Sequence, residues 1–338
     1  MASQLAELTP HMVHYNERLY EDGTFRWLPY LMYFHPADYH SKVVNTDAIG
    51  FRITHGKDEQ ASPGSRLPRE PVKLLVGSSS VFGVGATNDA ATLPSRLWSH
   101  HAPRRPWLNF GGRSHNSTQE LLLFMLYRHL LPPVEEIVIY SGFNNLGLAK
   151  LPDPVQGDHG AFYLCNDYLA KVSELRKPQR TAGGRFRRQQ ATNTDAEAPV
   201  KNVDQQIAHA ADLTLRHLDT WRVFASALGA RLSFVLQPLA PWVRERPAAE
   251  EKALFRELDE RFSFTAMHGD VTQPEVGQRY ATALRDGCSR QQVNFLDMNS
   301  VLAAAAGPDD WIFVDRCHCT DAGYDLVARL LAEHLTLS

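Results

Sequence analysis

The chain has 338 residues, of which 43% are hydrophobic and 22% are charged, and its formal net charge is −3. A chain of this length and composition can bury a large core, in one enlarged domain or in two. The near-neutral balance gives no electrostatic case for a nucleic-acid partner or for an anionic membrane surface.

Three further features of the sequence bear on the cellular compartment and on whether the chain spans a membrane. The four cysteines do not have the spacing of a disulfide framework. The first residues lack the charged start and apolar core of a signal peptide. No apolar run approaches the roughly 18 residues that a membrane span requires. We therefore expect a cytoplasmic protein with reduced thiols and no membrane span.

Residues 1 to about 70 are rich in aromatic side chains and end in a polar linker from Glu59 to Glu70. We predict that residues 1–70 form an N-terminal extension, within which 43–52 is a strand and a turn. The extension is expected to pack on a catalytic domain formed by residues 71–338. A second interpretation is that it roofs a substrate pocket or makes a subunit contact.

Five short apolar runs rich in branched residues predict buried strands, at 72–76, 107–110, 137–140, 232–236 and 293–297. Helical spacing of apolar residues and capping signals predict helices, at 91–100, 117–131, 203–228, 248–262 and 322–335. Strands that alternate with helices predict a three-layer α/β/α fold with a mainly parallel sheet.

The pattern loosens between residue 151 and about residue 200, where a run of cations lies at 171–188. We expect a mobile surface insertion here. The alternative is a lid, or a docking patch for an acidic partner such as an acyl carrier protein or a coenzyme A thioester.

A run of serines follows the first strand of the predicted sheet. Gly77 allows a sharp turn, and Ser78, Ser79 and Ser80 come where that turn would meet a helix. A serine at the carboxyl end of a parallel strand stands in the crevice where open α/β sheets bind ligands. Its N–H would lie near a helix N-terminus, where developing negative charge is favoured. Taken alone, the stretch fits a nucleophile no better than the alternatives, a phosphate-binding turn or a plain strand-to-helix connection.

An aspartate and a histidine stand three positions apart near the other end of the chain. Asp315 could orient the His318 imidazole, which could then deprotonate a serine delivered from elsewhere in the fold. Cys317 and Cys319 flank this histidine, but adjacent residues cannot easily point three ligands at one ion, so no metal site is predicted. No glycine-rich stretch extends to a dinucleotide or P-loop fingerprint, and no cofactor is expected.

Four blocks, taken in this order, resemble the SGNH (GDSL-like) hydrolase family. They are Gly77-Ser78-Ser79, the stretch Asn109–Asn116, Gly142-Phe143-Asn144-Asn145, and Asp315-Arg316-Cys317-His318. The resemblance implies that Ser79 is the nucleophile, with Asp315 and His318 as orienter and base. It also implies an oxyanion hole formed by the Ser79 N–H, the Asn144 side chain and one donor from the second block.

The sequence departs from the family pattern at three positions. Ser78 and Asn145 each replace an aspartate that does not carry the chemistry. Ser114 stands where the family has the glycine of the second block, with Gly111 and Gly112 nearby, so any of these three could donate its N–H. The substrate-wall candidates are His115 in this block and, after the fourth strand, Gln237 and Trp242.

The function implied by this resemblance is serine-dependent acyl-ester hydrolysis through a Ser79 acyl-enzyme. Esterase, deacylase and thioesterase activities all fit, with a small-molecule ester or thioester as substrate. One alternative is an acyltransferase that moves an acyl group from an ester or thioester to a small acceptor. Another is a binding or scaffold protein that has lost catalysis.

Overall fold

Nine strands are defined in the computed structural model, which describes residues 3–17, 19, 26–65, 67–151, 156–165, 167–168, 201–261 and 264–338. They are β1 (Arg26–Leu28), β2 (Met32–Phe34), β3 (Thr54–His55), β4 (Gln60–Ala61), β5 (Val72–Gly77), β6 (Trp107–Gly111), β7 (Val134–Ser141), β8 (Arg231–Leu236) and β9 (Asn294–Asp297). The first four pair as two antiparallel hairpins, β1 with β2 and β3 with β4.

The central sheet contains β5 to β9 in the order β6-β5-β7-β8-β9, and every neighbouring pair is parallel. All residues of β5 and β6 are buried, as expected for parallel strands covered on both faces. Gly77 pairs in register with Gly111 on one side and with Tyr140 on the other. The carboxyl ends of three strands therefore meet at one edge of the sheet.

The α-helices pack in two groups around this sheet. They are α1 (Gln4–Leu8), α2 (Met12–Asn16), α3 (Ser79–Phe82), α4 (Leu93–Arg96), α5 (Ser117–Tyr127), α6 (Phe143–Leu148), α7 (Val203–Leu228), α8 (Ala240–Val243), α9 (Ala249–Arg261), α10 (Phe264–His268), α11 (Pro274–Gln291), α12 (Met298–Ala305) and α13 (Asp321–His334). In one group α7 contacts α5 and α11, and in the other α13 contacts α4 and α12. The three-layer α/β/α fold with a parallel sheet, predicted from the sequence, is confirmed.

Helix ends follow local sequence signals where these are strong. The long helix α7 begins at a capping box formed by Asn202 and Gln205 and ends at Gly229, whose φ is +66°. The helix predicted at 91–100 is broken instead, into a 3₁₀ turn (Asp89–Ala91), the short α4 and a π turn (Leu97–His101). Pro94 fits only the first turn of a helix, so α4 starts after Thr92.

The N-terminal segment, defined as residues 26–65, shares its core with the sheet. Leu31, Phe34 and Phe51 are fully buried in the same apolar cluster as the residues of β5 and β6. The predicted strand and turn at 43–52 is seen as two isolated antiparallel bridges, one of which joins Thr46 and Arg52.

The part of the predicted insertion that carries the cations, residues 171–188, lies outside the described residues. Within the described part of the chain, no helix is both long enough and apolar enough to cross a membrane.

Candidate active site

The turn between β5 and α3 presents Ser79 at the carboxyl edge of the sheet. A Cβ atom on Gly77 would lie 2.2 Å from the carbonyl oxygen of Tyr140, so only glycine allows β5 and β7 to approach this closely. Ser79 is the first residue of α3, and the N–H of a first helical residue has no acceptor within its helix. The serine therefore offers both its hydroxyl and its N–H at the same edge.

The three side chains of the predicted triad form one continuous chain of hydrogen bonds. The Ser79 hydroxyl lies 2.7 Å from Nε2 of His318. On the other side of the ring, Nδ1 of His318 lies 2.7 Å from Oδ2 and 3.0 Å from Oδ1 of Asp315. With the ring proton on Nδ1, the imidazole donates to the carboxylate and leaves Nε2 to accept from the serine. This arrangement can generate a serine nucleophile.

The loop that carries Asp315 and His318 is held by a buried carboxylate. Glu251 accepts the N–H groups of Ile312 and Phe313 over 2.9 and 3.0 Å and forms an ion pair with Arg244 over 2.7 Å. The segment that leads into the loop is thereby fixed to α9, and nothing in the local sequence around Glu251 signals this contact.

Asp315 is stabilised as a carboxylate by its surroundings. Burial alone would raise the pKa of Asp315, but the neighbouring His318 and the backbone N–H groups of Cys317 and His318 bring that pKa below its usual value. Both N–H groups donate to Oδ1, over 2.7 and 2.8 Å. The side chain therefore stays ionised at neutral pH and keeps accepting from the imidazole.

Asn144 lies in the first turn of α6, directly after the sharp bend at Gly142, whose φ is +118°. Its Nδ2 donates to the backbone carbonyl of His115 over 2.7 Å. An amide carries two N–H bonds, so the second remains for a group in the cavity that Asn144 lines. The contact also ties α6 to the second sequence block.

The second block offers one of its three candidate donors to the cavity. The N–H of Gly111 donates to Oδ1 of Asn109 over 2.9 Å, and the N–H of Gly112 donates to the carbonyl of Gly77 over 3.0 Å. Ser114 lines the cavity, and among the residues that the structure describes none accepts its N–H. The N–H groups of Gly111 and Gly112 are therefore already bonded, whereas the N–H of Ser114 has no acceptor among the described residues.

A cavity of about 330 Å³ lies in front of Ser79 and His318. Its lining residues are Ser79, Ser114, Phe143, Asn144, Tyr163, Gln237, Leu258, Phe264, Met267, His268, Asp315, Arg316, Cys317 and His318. The walls contributed by α9 and α10 are mostly apolar, and sequence reasoning did not identify them. Apolar residues at helical spacing are the normal signal of core packing, so the sequence held no means of singling these out.

Of the three predicted wall residues, only Gln237 lines the cavity, where its Oε1 accepts from the Ser78 hydroxyl over 3.3 Å. His115 is fully buried behind the wall, and its Nε2 donates to the carbonyl of Tyr33 over 3.2 Å. The structure does not place His115 on the cavity, because its ring packs inward; burial lowers its pKa to about 4, which keeps it neutral.

Trp242 likewise lies outside the cavity lining. Its Nε1 donates to the carbonyl of Val271 over 3.1 Å, which turns the indole away from the serine. Its ring meets Phe143 edge-on at 6.0 Å between centroids, so it supports a cavity residue from behind. Trp242 is therefore not among the residues that line this cavity, and it packs against Phe143, which does line it.

One cation lies among the cavity-lining residues. The guanidinium of Arg316 pairs with Asp259 over 2.5 Å and stacks over the rings of Phe255 and Phe264, at 4.9 and 5.9 Å. Burial raises the pKa of the flanking Cys317 thiol. Within the described ranges, no three His, Cys, Asp or Glu side chains are grouped in a way that could hold a metal ion.

The chain is thus a three-layer α/β protein in which hydrogen bonds join a serine to a histidine and that histidine to an aspartate. No protein-family model and no curated protein matches the chain. Similar solved structures include the lipase/acylhydrolase from Enterococcus faecalis, with 11% identity and a TM-score of 0.43, covering 79% of this chain and 95% of that one.

Two further similar structures carry related descriptions. One is a member of the lipolytic protein G-D-S-L family from Veillonella parvula, with 10% identity, a TM-score of 0.44, and coverage of 79% of this chain and 99% of that one. The other is the aryl esterase from M. smegmatis, with 12% identity, a TM-score of 0.44, and coverage of 80% and 100%. The G-D-S-L description is that of the family which the sequence blocks resemble. A likeness this distant carries no argument about activity, which has to come from the chain's own residues.

Proposed function

We propose that the protein is a serine-dependent acyl-ester hydrolase of the SGNH (GDSL-like) type. The observation that carries the proposal is the unbroken hydrogen-bond chain from the Ser79 hydroxyl through His318 to Asp315, at the mouth of a cavity. Residues 239 positions apart are brought to 2.7 Å in the orientation that nucleophilic catalysis requires.

In the first half of the proposed reaction, Ser79 Oγ forms a bond to the substrate's carbonyl carbon while its proton moves to Nε2 of His318. The carbonyl oxygen becomes an oxyanion, for which the N–H groups of Ser79 and Ser114 and the Asn144 amide are the proposed donors. The bond to the leaving alcohol then breaks, and His318 returns the proton to that oxygen. An acyl ester on Ser79 remains.

In the second half, water attacks the acyl ester and gives its proton to His318. The bond to Ser79 Oγ then breaks, the serine recovers its proton, and a carboxylic acid leaves. The His318 and Asp315 side chains are 17% and 24% exposed, which supports water as the acyl acceptor. The cavity is at the small end of ligand-site volumes and mostly apolar, which favours esters with a small or medium apolar acyl group.

The test is intact-mass analysis after treatment with a fluorophosphonate, comparing wild type with Ser79→Ala. We expect one covalent adduct on wild type, mapped to Ser79 by peptide sequencing, and none on the variant. Hydrolysis of p-nitrophenyl esters of increasing acyl length should fall to background in the same variant.

Ser80→Ala is the matched control for this experiment. Ser80 follows the nucleophile directly, is buried, and donates its hydroxyl to the Cys317 carbonyl over 3.3 Å instead of to the histidine. This variant should keep both the adduct and ester hydrolysis. A folded wild type that forms no adduct and hydrolyses no ester would refute the proposal, as would an adduct that persists in Ser79→Ala.

A further inference from the structure

The loop between β6 and α5, residues 112–116, is bonded by the N-terminal segment at several points. The Tyr33 hydroxyl donates to the carbonyl of Ser114 over 2.9 Å, and the Tyr33 carbonyl accepts from Nε2 of His115 over 3.2 Å. Two residues further along the N-terminal segment, Nε2 of His35 accepts the N–H of Arg113 over 3.2 Å. The segment thus bonds three consecutive residues of this loop.

Ser114 has a left-handed backbone, with a φ of +57°. A residue with a Cβ adopts this conformation at a steric cost and keeps it only where the surroundings fix it. Glycine, the residue that the SGNH pattern has here, adopts it freely. In this chain the left-handed conformation is maintained by contacts instead.

The peptide that carries the Ser114 N–H lies between two peptides whose orientations are fixed. On one side, the Arg113 N–H is bonded to His35. On the other, the Ser114 carbonyl accepts from Tyr33, and the His115 N–H of the same peptide donates to the Gly112 carbonyl over 3.0 Å. These two constraints fix the orientation of the peptide between them, which carries the Ser114 N–H beside the cavity that Ser114 lines.

We infer that Tyr33 is a positioning residue, whose hydroxyl holds Ser114 in the left-handed conformation that aims its N–H at the oxyanion. Tyr33 is 2% exposed and is not among the residues that line the cavity, so it acts through Ser114 and not by touching substrate. The inference rests on the proposed function, since it assigns a role within the same site. With this role for Tyr33, the N-terminal segment helps to position an oxyanion donor.

A double-mutant cycle of Tyr33→Phe and Ser114→Gly tests this inference. Loss of an oxyanion donor costs about 100- to 1,000-fold in turnover, so misdirecting one should lower kcat by about tenfold or more in Tyr33→Phe. KM should stay near the wild-type value, because the donor acts in the transition state. Ser114→Gly keeps the N–H and removes the need for outside support of the left-handed conformation, and its own kcat is the reference for the second arm of the cycle.

The decisive comparison is Tyr33→Phe in the Ser114→Gly background. Because glycine adopts the left-handed conformation without support, the hydroxyl should matter little there, and the tenfold loss should shrink to about threefold or less. A purely structural role for Tyr33 would lower kcat and the melting temperature by the same amounts in both backgrounds, and that result would overturn the inference.

Tyr324→Phe is the matched control, since it removes another buried hydroxyl that donates to a backbone carbonyl, that of Val84, over 2.6 Å. It should leave kcat within about twofold of wild type. An active wild type whose kcat is unchanged by Tyr33→Phe would overturn the inference alone. A folded wild type that neither forms the fluorophosphonate adduct nor hydrolyses esters would remove the proposed function, and this inference with it.

Discussion

Replacing Asp315 by asparagine should remove activity while keeping the loop folded. The carboxylate accepts the N–H groups of Cys317 and His318 through one oxygen and the imidazole N–H mainly through the other. An asparagine oxygen can still accept the two backbone N–H groups, but its NH₂ group would then face Nδ1 of His318. Since two donors cannot bond, the ring would place its proton on Nε2 instead.

That tautomer presents an N–H to the Ser79 hydroxyl across the 2.7 Å contact, and no base is left to accept the serine proton. Loss of the correct tautomer in a serine triad lowers kcat by about 10⁴-fold, and we expect a loss of this size for Asp315→Asn. Because the loop keeps its backbone bonds, the free energy of unfolding should change by no more than about 1 kcal/mol.

The assay is kcat for a p-nitrophenyl ester together with the rate of fluorophosphonate adduct formation, and both should fall together. Asp321→Asn is the control: its carboxylate accepts from the Thr87 N–H over 2.8 Å on the exposed side of the fold, and activity should be retained. Asp315→Asn with kcat within tenfold of wild type and an unchanged fold would refute the assignment of Asp315 as orienter of the base.

Two further predictions concern stability. Burial raises the pKa of Glu120 from 4.5 to about 8. Between these two pH values the folded state holds one more proton than the unfolded state. The free energy of unfolding should therefore fall as pH rises, by up to about 1.4 kcal/mol per pH unit. Urea unfolding at pH 5.5 and pH 7.5 should show this fall in wild type, and Glu120→Gln should lack it. An equal change between the two pH values in both proteins would contradict the raised pKa of Glu120. The second prediction is that Arg52→Met costs about 3–5 kcal/mol in chemical denaturation, because it leaves the buried Asp89 carboxylate without the cation that lies 2.7 Å away. Arg329→Met, which removes an exposed pair with Glu333, should cost less than about 1 kcal/mol, and equal losses in the two variants would contradict this reasoning.

The meeting of Ser79 and Asn144 could be predicted because parallel strands constrain where their ends meet. Short apolar runs located the strands, and the polar residues directly after them had to share one edge of the sheet. Ser79 and Asn144 follow two adjacent strands, and the structure places both on the same cavity.

The choice among Gly111, Gly112 and Ser114 could not be made from the sequence. All three have a backbone N–H, and the difference is which of them is already bonded, a property of distances and not of residue type. The same limit applies to His115 and Trp242, which occupy the correct loops but turn their polar atoms towards backbone carbonyls away from the cavity.

The role inferred for Tyr33 had no local signal either. Its hydroxyl bonds a carbonyl 81 positions later in the chain, and an aromatic residue in an aromatic-rich segment looks like ordinary packing. The replacement of the family's glycine by Ser114 is the feature of the sequence that points to a supporting contact at this position. A left-handed position without glycine needs an external contact, and that need can be stated before the contact is known.

The spacing of the triad along the chain has a consequence for biosynthesis. Ser79 leaves the ribosome 239 residues before His318, so β7, β8 and β9 are all synthesised before the histidine that bonds the serine. Under the proposed function, a growing chain therefore carries a serine hydroxyl of ordinary reactivity for most of its synthesis. A chain released before His318 would have the serine but no base to activate it.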